Sequence, residues 1–241
     1  MTHHADTGLY DSTLDKSSCG VGFITRKDGT QTHEILTRGH EALCVVPHRG
    51  GMSAEGVGDG AGVNVDLSVD FFSSLTGHAL RAKEFGVGNF FMPTDGSSHG
   101  DADTLVTDTL TAAGIDVITV REVPVDDSVL RPSAAAHQLP IRQWIFSRPE
   151  NCVSAAEFDR ILHEVLLTIE SRAYTEPALT GLYPLSLSAH TQVLKGRLNS
   201  HEVIPYFRDL VDPRHTVHTL YFHTRFSTNT DPHPTMAQPF R

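Results

Sequence analysis

The thiol of Cys19 is the group in this sequence that most directly suggests covalent chemistry. Cys19 begins the run Cys-Gly-Val-Gly-Phe-Ile and follows a polar leader, residues 1–18. If the leader is removed, residue 19 carries a thiol and a free α-amine, whose reference pKa of roughly 7.7 to 8.0 lets it accept the thiol proton near neutral pH. Cys19 could then supply both the nucleophile and the base. The alternative is a small buried apolar side chain, the usual role of a free cysteine.

Two arginines in runs of small and turn-forming residues could bind a carboxylate. Arg49 lies in His-Arg-Gly-Gly, and Arg225 begins Arg-Phe-Ser-Thr-Asn-Thr, which includes Thr228. The planar guanidinium binds a carboxylate through two hydrogen bonds, and neighbouring hydroxyl groups can complete a site for an α-amino acid. For each arginine the alternative is a surface ion pair.

Signatures of other kinds of site are weaker. Residues 56–62 are rich in glycine but lack the Gly-Lys-Ser/Thr ending of a P-loop. We interpret them as a tight connection in which Asp59 accepts hydrogen bonds from nearby backbone amides. The fifteen histidines include no His-Glu-x-x-His motif, and no Gly-x-Ser-x-Gly elbow is present. These observations disfavour phosphate, metal and serine-hydrolase sites.

Composition limits the class of protein and its partners. The 241 residues are 39% hydrophobic and 20% charged, with a net charge of −10, which is typical of a soluble globular protein and disfavours nucleic-acid binding. No apolar run approaches the ~18 residues of a membrane span. The three cysteines, Cys19, Cys44 and Cys152, form no Cys-x-x-Cys pair and fit a reducing cytoplasm. The acidic leader lacks the apolar core of a secretory signal, so we interpret it as a propeptide or a frayed terminus.

Hydrophobic patterns predict the elements that must position these residues. Alternating or apolar runs predict strands at 20–25, 63–67, 86–92, 116–123, 142–146, 182–189, 192–194 and 215–224. Helical spacing predicts helices at 33–46, 69–75, 99–113, 154–173 and 203–210. Ser154 can cap the helix at 154–173, with Glu157 three residues on as its capping-box partner. The two strands at 182–189 and 192–194 are predicted to form a hairpin. Adjacent strands followed by paired helices favour an α+β sandwich over a strict βαβ alternation.

Short motifs along the chain resemble, in their order, the amino-terminal glutaminase domain of the glutamate synthase large subunit. This domain is a class II glutamine amidotransferase of the N-terminal-nucleophile (Ntn) hydrolase type. The matching segments are residues 8–11, 19–24, 48–50, 58–62, 185–188, 195–196, 223–230 and 237–241. The resemblance covers essentially the whole chain, although residues 80–177 carry few of the family's marks.

The resemblance implies a fold, a reaction and a set of site residues. The fold is a four-layer αββα sandwich of two antiparallel sheets over residues 19–241, after a propeptide at 1–18. Cys19 attacks the glutamine side-chain amide, releases ammonia for glutamate synthesis from 2-oxoglutarate, and forms a γ-glutamyl thioester that water hydrolyses. Arg225 binds the glutamine α-carboxylate with Thr228 beside it, and Arg49 shapes the surroundings of the nucleophile.

The same resemblance implies partners and cofactors. L-glutamine is the substrate, and the remainder of the glutamate synthase large chain and a small reductase subunit are the protein partners, with no nucleic acid or membrane. FMN and an iron–sulfur cluster belong to the full-length enzyme, whereas this segment is expected to bind no cofactor or metal itself. Two alternatives stay open: a split amidotransferase subunit that needs a partner, and a non-catalytic structural or regulatory module.

One departure from the family pattern concerns the oxyanion hole. The sequence stops at Arg241, before the Ala-His-Asn-Gly-Glu-like segment whose Asn side chain and Gly amide form that hole in the family. Because losing one oxyanion donor typically lowers kcat by roughly 10²- to 10³-fold, the resemblance predicts that these 241 residues alone are a truncated fragment with little activity.

Overall fold

The computed structural model describes residues 19–240, so the predictions for the leader lie outside the described part. These residues form two four-stranded sheets in which neighbouring strands are antiparallel. In chain order the strands are β1 (Gly20–Thr25), β2 (Ala61–Asp66), β3 (Phe85–Phe91), β4 (Val117–Glu122), β5 (Ile141–Ser147), β6 (Tyr183–Ser188), β7 (Thr191–Gly196) and β8 (Thr219–Thr224). The first sheet has the strand order β1-β8-β2-β7, and the second has the order β4-β5-β3-β6.

Helices pack against both sheets. In chain order they are α1 (Glu34–Val45), α2 (Val69–Thr76), α3 (His99–Ala112), α4 (Pro132–Ala135), α5 (Ala155–Thr175), α6 (Val203–Tyr206) and α7 (Arg208–Val211). Helix α1 packs on the first sheet where Gly39 meets Leu220, and α3 and α5 bury their apolar faces against Trp144 and Phe146 of the second sheet. The predicted α+β architecture of two antiparallel sheets flanked by helices is confirmed.

Helix α5 shows how a local signal fixes an element. Ser154 precedes its first turn, and the Ser154 hydroxyl accepts a hydrogen bond from the Glu157 amide at 3.1 Å. The Glu157 carboxylate in turn accepts one from the Val153 amide at 2.9 Å. These contacts satisfy amides that a helix start would otherwise leave unpaired. The capping-box prediction is confirmed for Ser154, but the Glu157 carboxylate binds the Val153 amide in place of the Ser154 amide.

The predicted hairpin at 182–189 and 192–194 is wrong. The two strands exist as β6 and β7, but β6 pairs with β3 in the second sheet and β7 pairs with β2 in the first. The Ser188 hydroxyl accepts hydrogen bonds from the amides of His190 and Thr191 and closes the tight turn between them. A short turn signal predicts a reversal of the chain, but it does not specify the sheet that the second strand joins.

Two other predicted elements are shorter than expected. The strand predicted over 215–224 begins only at Thr219, and the amides of His218 and Thr219 both donate to the Asp66 carboxylate at this point. The helix predicted over 203–210 is divided at Phe207, whose backbone is extended, with φ −84° and ψ 104°. In both cases tertiary hydrogen bonds or packing override a local pattern.

Buried polar side chains join the two sheets. The Gln143 amide donates to Asn89 at 2.9 Å and to Gln192 of β7 at 3.2 Å, and all three residues are fully buried. Arg121 donates to Gln143 at 2.8 Å and forms a two-pronged ion pair with the buried carboxylate of Asp209. Because an unpaired polar group in the core is unfavourable, this network favours one relative placement of the sheets.

Removing one partner of this buried ion pair should strongly destabilise the fold. We expect Asp209→Ala to lower the free energy of unfolding by about 3 to 5 kcal/mol, because it leaves the Arg121 guanidinium buried without its counter-charge. Urea denaturation followed by circular dichroism measures the change. The matched control is Glu176→Ala, which breaks the solvent-exposed pair with Arg172 and should shift the midpoint little. Equal shifts for the two variants would contradict a structural role for the buried pair.

Candidate active site

The register of β1 and β8 brings Cys19 next to the segment that follows β8. Gly20 pairs with Thr224, so Cys19 lies where the next residue along, Arg225, leaves the strand. The Cys19 side chain is exposed, and the backbone amide of Phe226 donates to its sulfur with an N···Sγ distance of 3.4 Å. The sulfur is therefore both accessible to a small molecule and held in place by a backbone contact across the sheet.

Arg49 contacts the residue after the nucleophile. It ends a short 3₁₀ turn, Pro47–Arg49, and its aliphatic stem lies on Gly20, where an added Cβ would be 2.9 Å from the Arg49 Cβ. A Cβ on Gly50 would lie 2.5 Å from the Thr224 hydroxyl oxygen. The glycines are therefore needed at both positions because the Arg49 turn approaches β1 and β8 too closely for side chains.

Hydrogen bonds on both sides fix the backbone of Arg225. Its amide donates to the Gly60 carbonyl at 2.8 Å, and its carbonyl accepts from the Gly51 amide at 2.9 Å. The guanidinium donates to the Thr230 hydroxyl through Nη2, while Nη1 is buried and has no hydrogen-bond partner among the described residues. Because only Nη2 has a partner among the described residues, other N–H groups of the guanidinium can still donate to an acceptor.

A shallow cavity of about 440 Å³ lies over the loop after β8. It is lined by Asp59 and residues 227–232, so the exposed side chain of Thr228 lies at its wall. The Asp59 carboxylate accepts a hydrogen bond from the Ser227 amide at 2.7 Å, so it braces the loop after β8, whereas the sequence suggested amides of its own glycine-rich connection. Gly51 packs directly on this carboxylate, since an added Cβ would lie 1.9 Å from Asp59 Oδ2.

The structure thus brings the predicted site residues to one end of the first sheet. Cys19 begins β1, Arg225 follows β8, Arg49 lies on the residue after Cys19, and Thr228 borders the adjacent cavity. The arrangement combines an exposed thiol, a backbone donor at its sulfur and a guanidinium with a free face. Chemically, it can bind an α-carboxylate and present a nucleophile to the same small molecule.

One residue of this site was not assigned to it from the sequence. His223 lies on β8, two residues before Arg225. From the sequence it was weighed only as a metal ligand, together with His215 and His218 along one predicted strand, and that interpretation was disfavoured. Burial, and secondarily the charge of Arg225, lowers the pKa of His223 below its usual value. Side chains two positions apart on a strand lie on the same face, so the spacing of His223 and Arg225 in the sequence already indicated that they are neighbours.

Metal and membrane signatures were also sought in the structure. Within residues 19–240, no three His, Cys, Asp or Glu side chains are arranged to hold a metal ion. In the same part of the chain, no helix has the length and apolar character needed to cross a bilayer.

Comparisons with known proteins agree with the geometry. The family described as glutamine amidotransferases class-II matches residues 19–241. Glutamate synthase (NADH) of Schizosaccharomyces pombe is 34% identical over 97% of the chain, and the match covers 11% of that relative. The glutamate synthase (NADPH) large chain of Azospirillum brasilense is 32% identical over 96% of the chain, with 16% of the relative covered. The chloroplastic ferredoxin-dependent enzyme of Spinacia oleracea is 33% identical over 97%, with 15% covered. The chain therefore spans only a small part of the length of these relatives.

Proposed function

Since the chain belongs to the class II glutamine amidotransferase family, we propose that it hydrolyses L-glutamine to glutamate and ammonia, with Cys19 as nucleophile. The observation that carries this proposal is the exposed Cys19 thiol, which accepts a hydrogen bond from the Phe226 amide at 3.4 Å beside the Arg225 guanidinium. The site therefore combines a nucleophile with a group that can anchor an amino acid.

The proposed reaction has two halves. The α-amine of residue 19 takes the thiol proton, and the sulfur attacks the side-chain carbonyl carbon of glutamine. The tetrahedral intermediate expels the amide nitrogen, which receives the proton from the α-amine and leaves as ammonia, so that a γ-glutamyl thioester forms. Water then attacks the thioester carbonyl, the α-amine accepts its proton, and the sulfur leaves with that proton as glutamate is released.

Substrate binding is assigned to the residues around the thiol. Arg225 binds the α-carboxylate through guanidinium N–H groups that its hydrogen bond to Thr230 leaves available, and Thr228 contributes its hydroxyl from the wall of the cavity. Arg49 keeps β1 and its own turn in close contact through Gly20, so it holds the nucleophile in place without touching the substrate. An anchored carboxylate fixes the distance from the α-carbon to the scissile amide.

This mechanism requires that residues 1–18 are removed, because only then is the nitrogen of residue 19 a free amine. The family match beginning at Cys19 supports this division of the chain. We expect mass spectrometry of the protein from its natural host to find the mature chain beginning at Cys19.

A glutamine-like diazo ketone should label residue 19 with loss of activity. A chain that still begins at Met1 and hydrolyses glutamine at full rate would contradict the mechanism, and an unlabelled, inert chain would favour a structural module.

The wider role follows from the relatives, whose printed names are glutamate synthases. We propose that the ammonia is used with 2-oxoglutarate to make glutamate in the remainder of a longer chain, with a small reductase subunit as a further partner. We propose that FMN and an iron–sulfur cluster would be held in that remainder, as the resemblance to the full-length enzyme implies. The cysteine count supports a reducing compartment such as the cytoplasm.

A further inference from the structure

Three unpartnered polar atoms, from Asn64, His223 and Arg225, lie on one face of the first sheet. In the described part of the chain, five side-chain atoms are buried without a hydrogen-bond partner: Thr32 Oγ1, Asn64 Oδ1, Ser200 Oγ, His223 Nδ1 and Arg225 Nη1. In the strand register, Gly62 of β2 lies opposite His223, and Asn64 is two residues further along the same face. Buried polar groups are almost always hydrogen-bonded, so this concentration points to a polar atom that all or some of them bind.

The face in question is the one from which the nucleophile projects. Cys19 directly precedes β1, and Val21 and Phe23 lie on this strand at alternate positions. All three side chains are exposed. His223 lies opposite Val21, and the ring of Phe23 packs on Tyr221 with 5.7 Å between centroids. The side chains that alternate with these point the other way, as the Phe222 ring on Gly22 shows. His223 therefore shares a face with both Cys19 and Arg225.

The placement of His223 and Arg225 suits a bridging water. Arg225 directly follows β8, so its side chain continues the alternation that places His223 on this face, and its charge acts on the His223 ring. A water can join two polar atoms that do not contact each other directly. It can accept from Arg225 Nη1 and donate to a neutral imidazole at Nδ1. His223 is only 7% exposed, so bulk water does not compete for this position.

The charge state of the pair fits this arrangement. The lowered pKa of His223 keeps the ring neutral near physiological pH, and the causes are burial first and the Arg225 charge second. A neutral ring can accept a hydrogen bond yet leaves the positive charge of Arg225 uncompensated. A carboxylate in the same place would neutralise the guanidinium and compete with a carboxylate substrate.

We propose that His223 is a positioning residue for glutamine binding. Through one bound water, its Nδ1 holds the Nη1 side of Arg225, while Thr230 holds Nη2. The guanidinium then keeps one orientation, and the N–H groups that donate to neither Thr230 nor the water bind the substrate α-carboxylate. This inference rests on the proposed function, because it assumes that Arg225 binds the α-carboxylate of glutamine. It assigns His223 no part in proton transfer at Cys19.

The test compares three variants of the full-length natural polypeptide in a glutaminase assay. Losing one charge-assisted hydrogen bond should raise KM for glutamine about tenfold in His223→Leu, with kcat nearly unchanged. His223→Asn keeps a polar atom close to the Nδ1 position and should restore a KM near that of the wild type. Phe222→Leu perturbs the same strand from its opposite, buried face and should leave KM unchanged. Alkylation of Cys19 by iodoacetamide should proceed at the same rate in all of them.

Specific outcomes would overturn the inference. An unchanged KM in His223→Leu removes the positioning role, and a matching rise in Phe222→Leu shows that general loosening of β8 causes the effect. A fall in kcat at constant KM would make His223 part of the chemistry instead. Failure of the proposed function looks different, because the wild-type polypeptide would then not hydrolyse glutamine at all, or hydrolysis would survive the replacement of Cys19. Either result overturns the function and this inference together, whereas a change confined to KM tests the inference alone.

Discussion

Replacing Cys19 with alanine is expected to abolish glutamine hydrolysis by the full-length natural polypeptide, with kcat falling by at least about 10⁴-fold. The sulfur is the only protein atom of the proposed mechanism that forms a covalent bond to the substrate. The Cys19 sulfur and the hydrogen bond that it accepts from the Phe226 amide are both lost, whereas the Arg225 guanidinium stays in place because alanine leaves the β1 and β8 ladder intact. A coupled assay for released ammonia measures the loss.

Cys44→Ala is the matched control for this experiment. Cys44 is also an exposed free cysteine, but it lies on α1 beside His40, with 3.7 Å between Sγ and Nε2. Its replacement should leave kcat close to the wild-type value. If Cys19→Ala retained activity within tenfold of wild type, or if Cys44→Ala abolished it, the assignment of the nucleophile would have to be abandoned.

Local sequence signals predicted the elements that lie under the site. The strand predicted at 20–25 coincides with β1, because a glycine-rich apolar run is bounded by a turn at Lys27 and Asp28. Helix α5 was predicted from its apolar stripe and its Ser154 cap. In both cases the information lies within a few residues of the element. Such signals survive folding when the tertiary environment agrees with them.

Long-range pairings could not be predicted from the residues alone. Cys19 and Phe226 are 207 positions apart, and only the β1–β8 register brings them together. The order of motifs in the family resemblance, rather than spacing, pointed to Cys19 and Arg225 as parts of one site. The division of β6 and β7 between two sheets was missed for the same reason, since turn chemistry does not specify which strand becomes the neighbour.

Arg225→Leu should lower kcat/KM for glutamine by about 10²- to 10³-fold, mainly through KM, because two charge-assisted hydrogen bonds to the α-carboxylate are lost. Arg225→Lys should recover little of the loss, since an ammonium cannot bind Thr230 and a carboxylate in the same planar arrangement. Arg172, an exposed residue of α5, provides the control, and Arg172→Leu should leave kcat/KM unchanged.

The decisive comparison uses 4-aminobutanamide, which is glutamine without its α-carboxylate. Wild type should hydrolyse it poorly, and Arg225→Leu should hydrolyse it equally poorly, because the group that Arg225 binds is missing. A further large loss with this analogue would mean that Arg225 acts on the reacting amide or on the Cys19 surroundings and does not recognise the carboxylate.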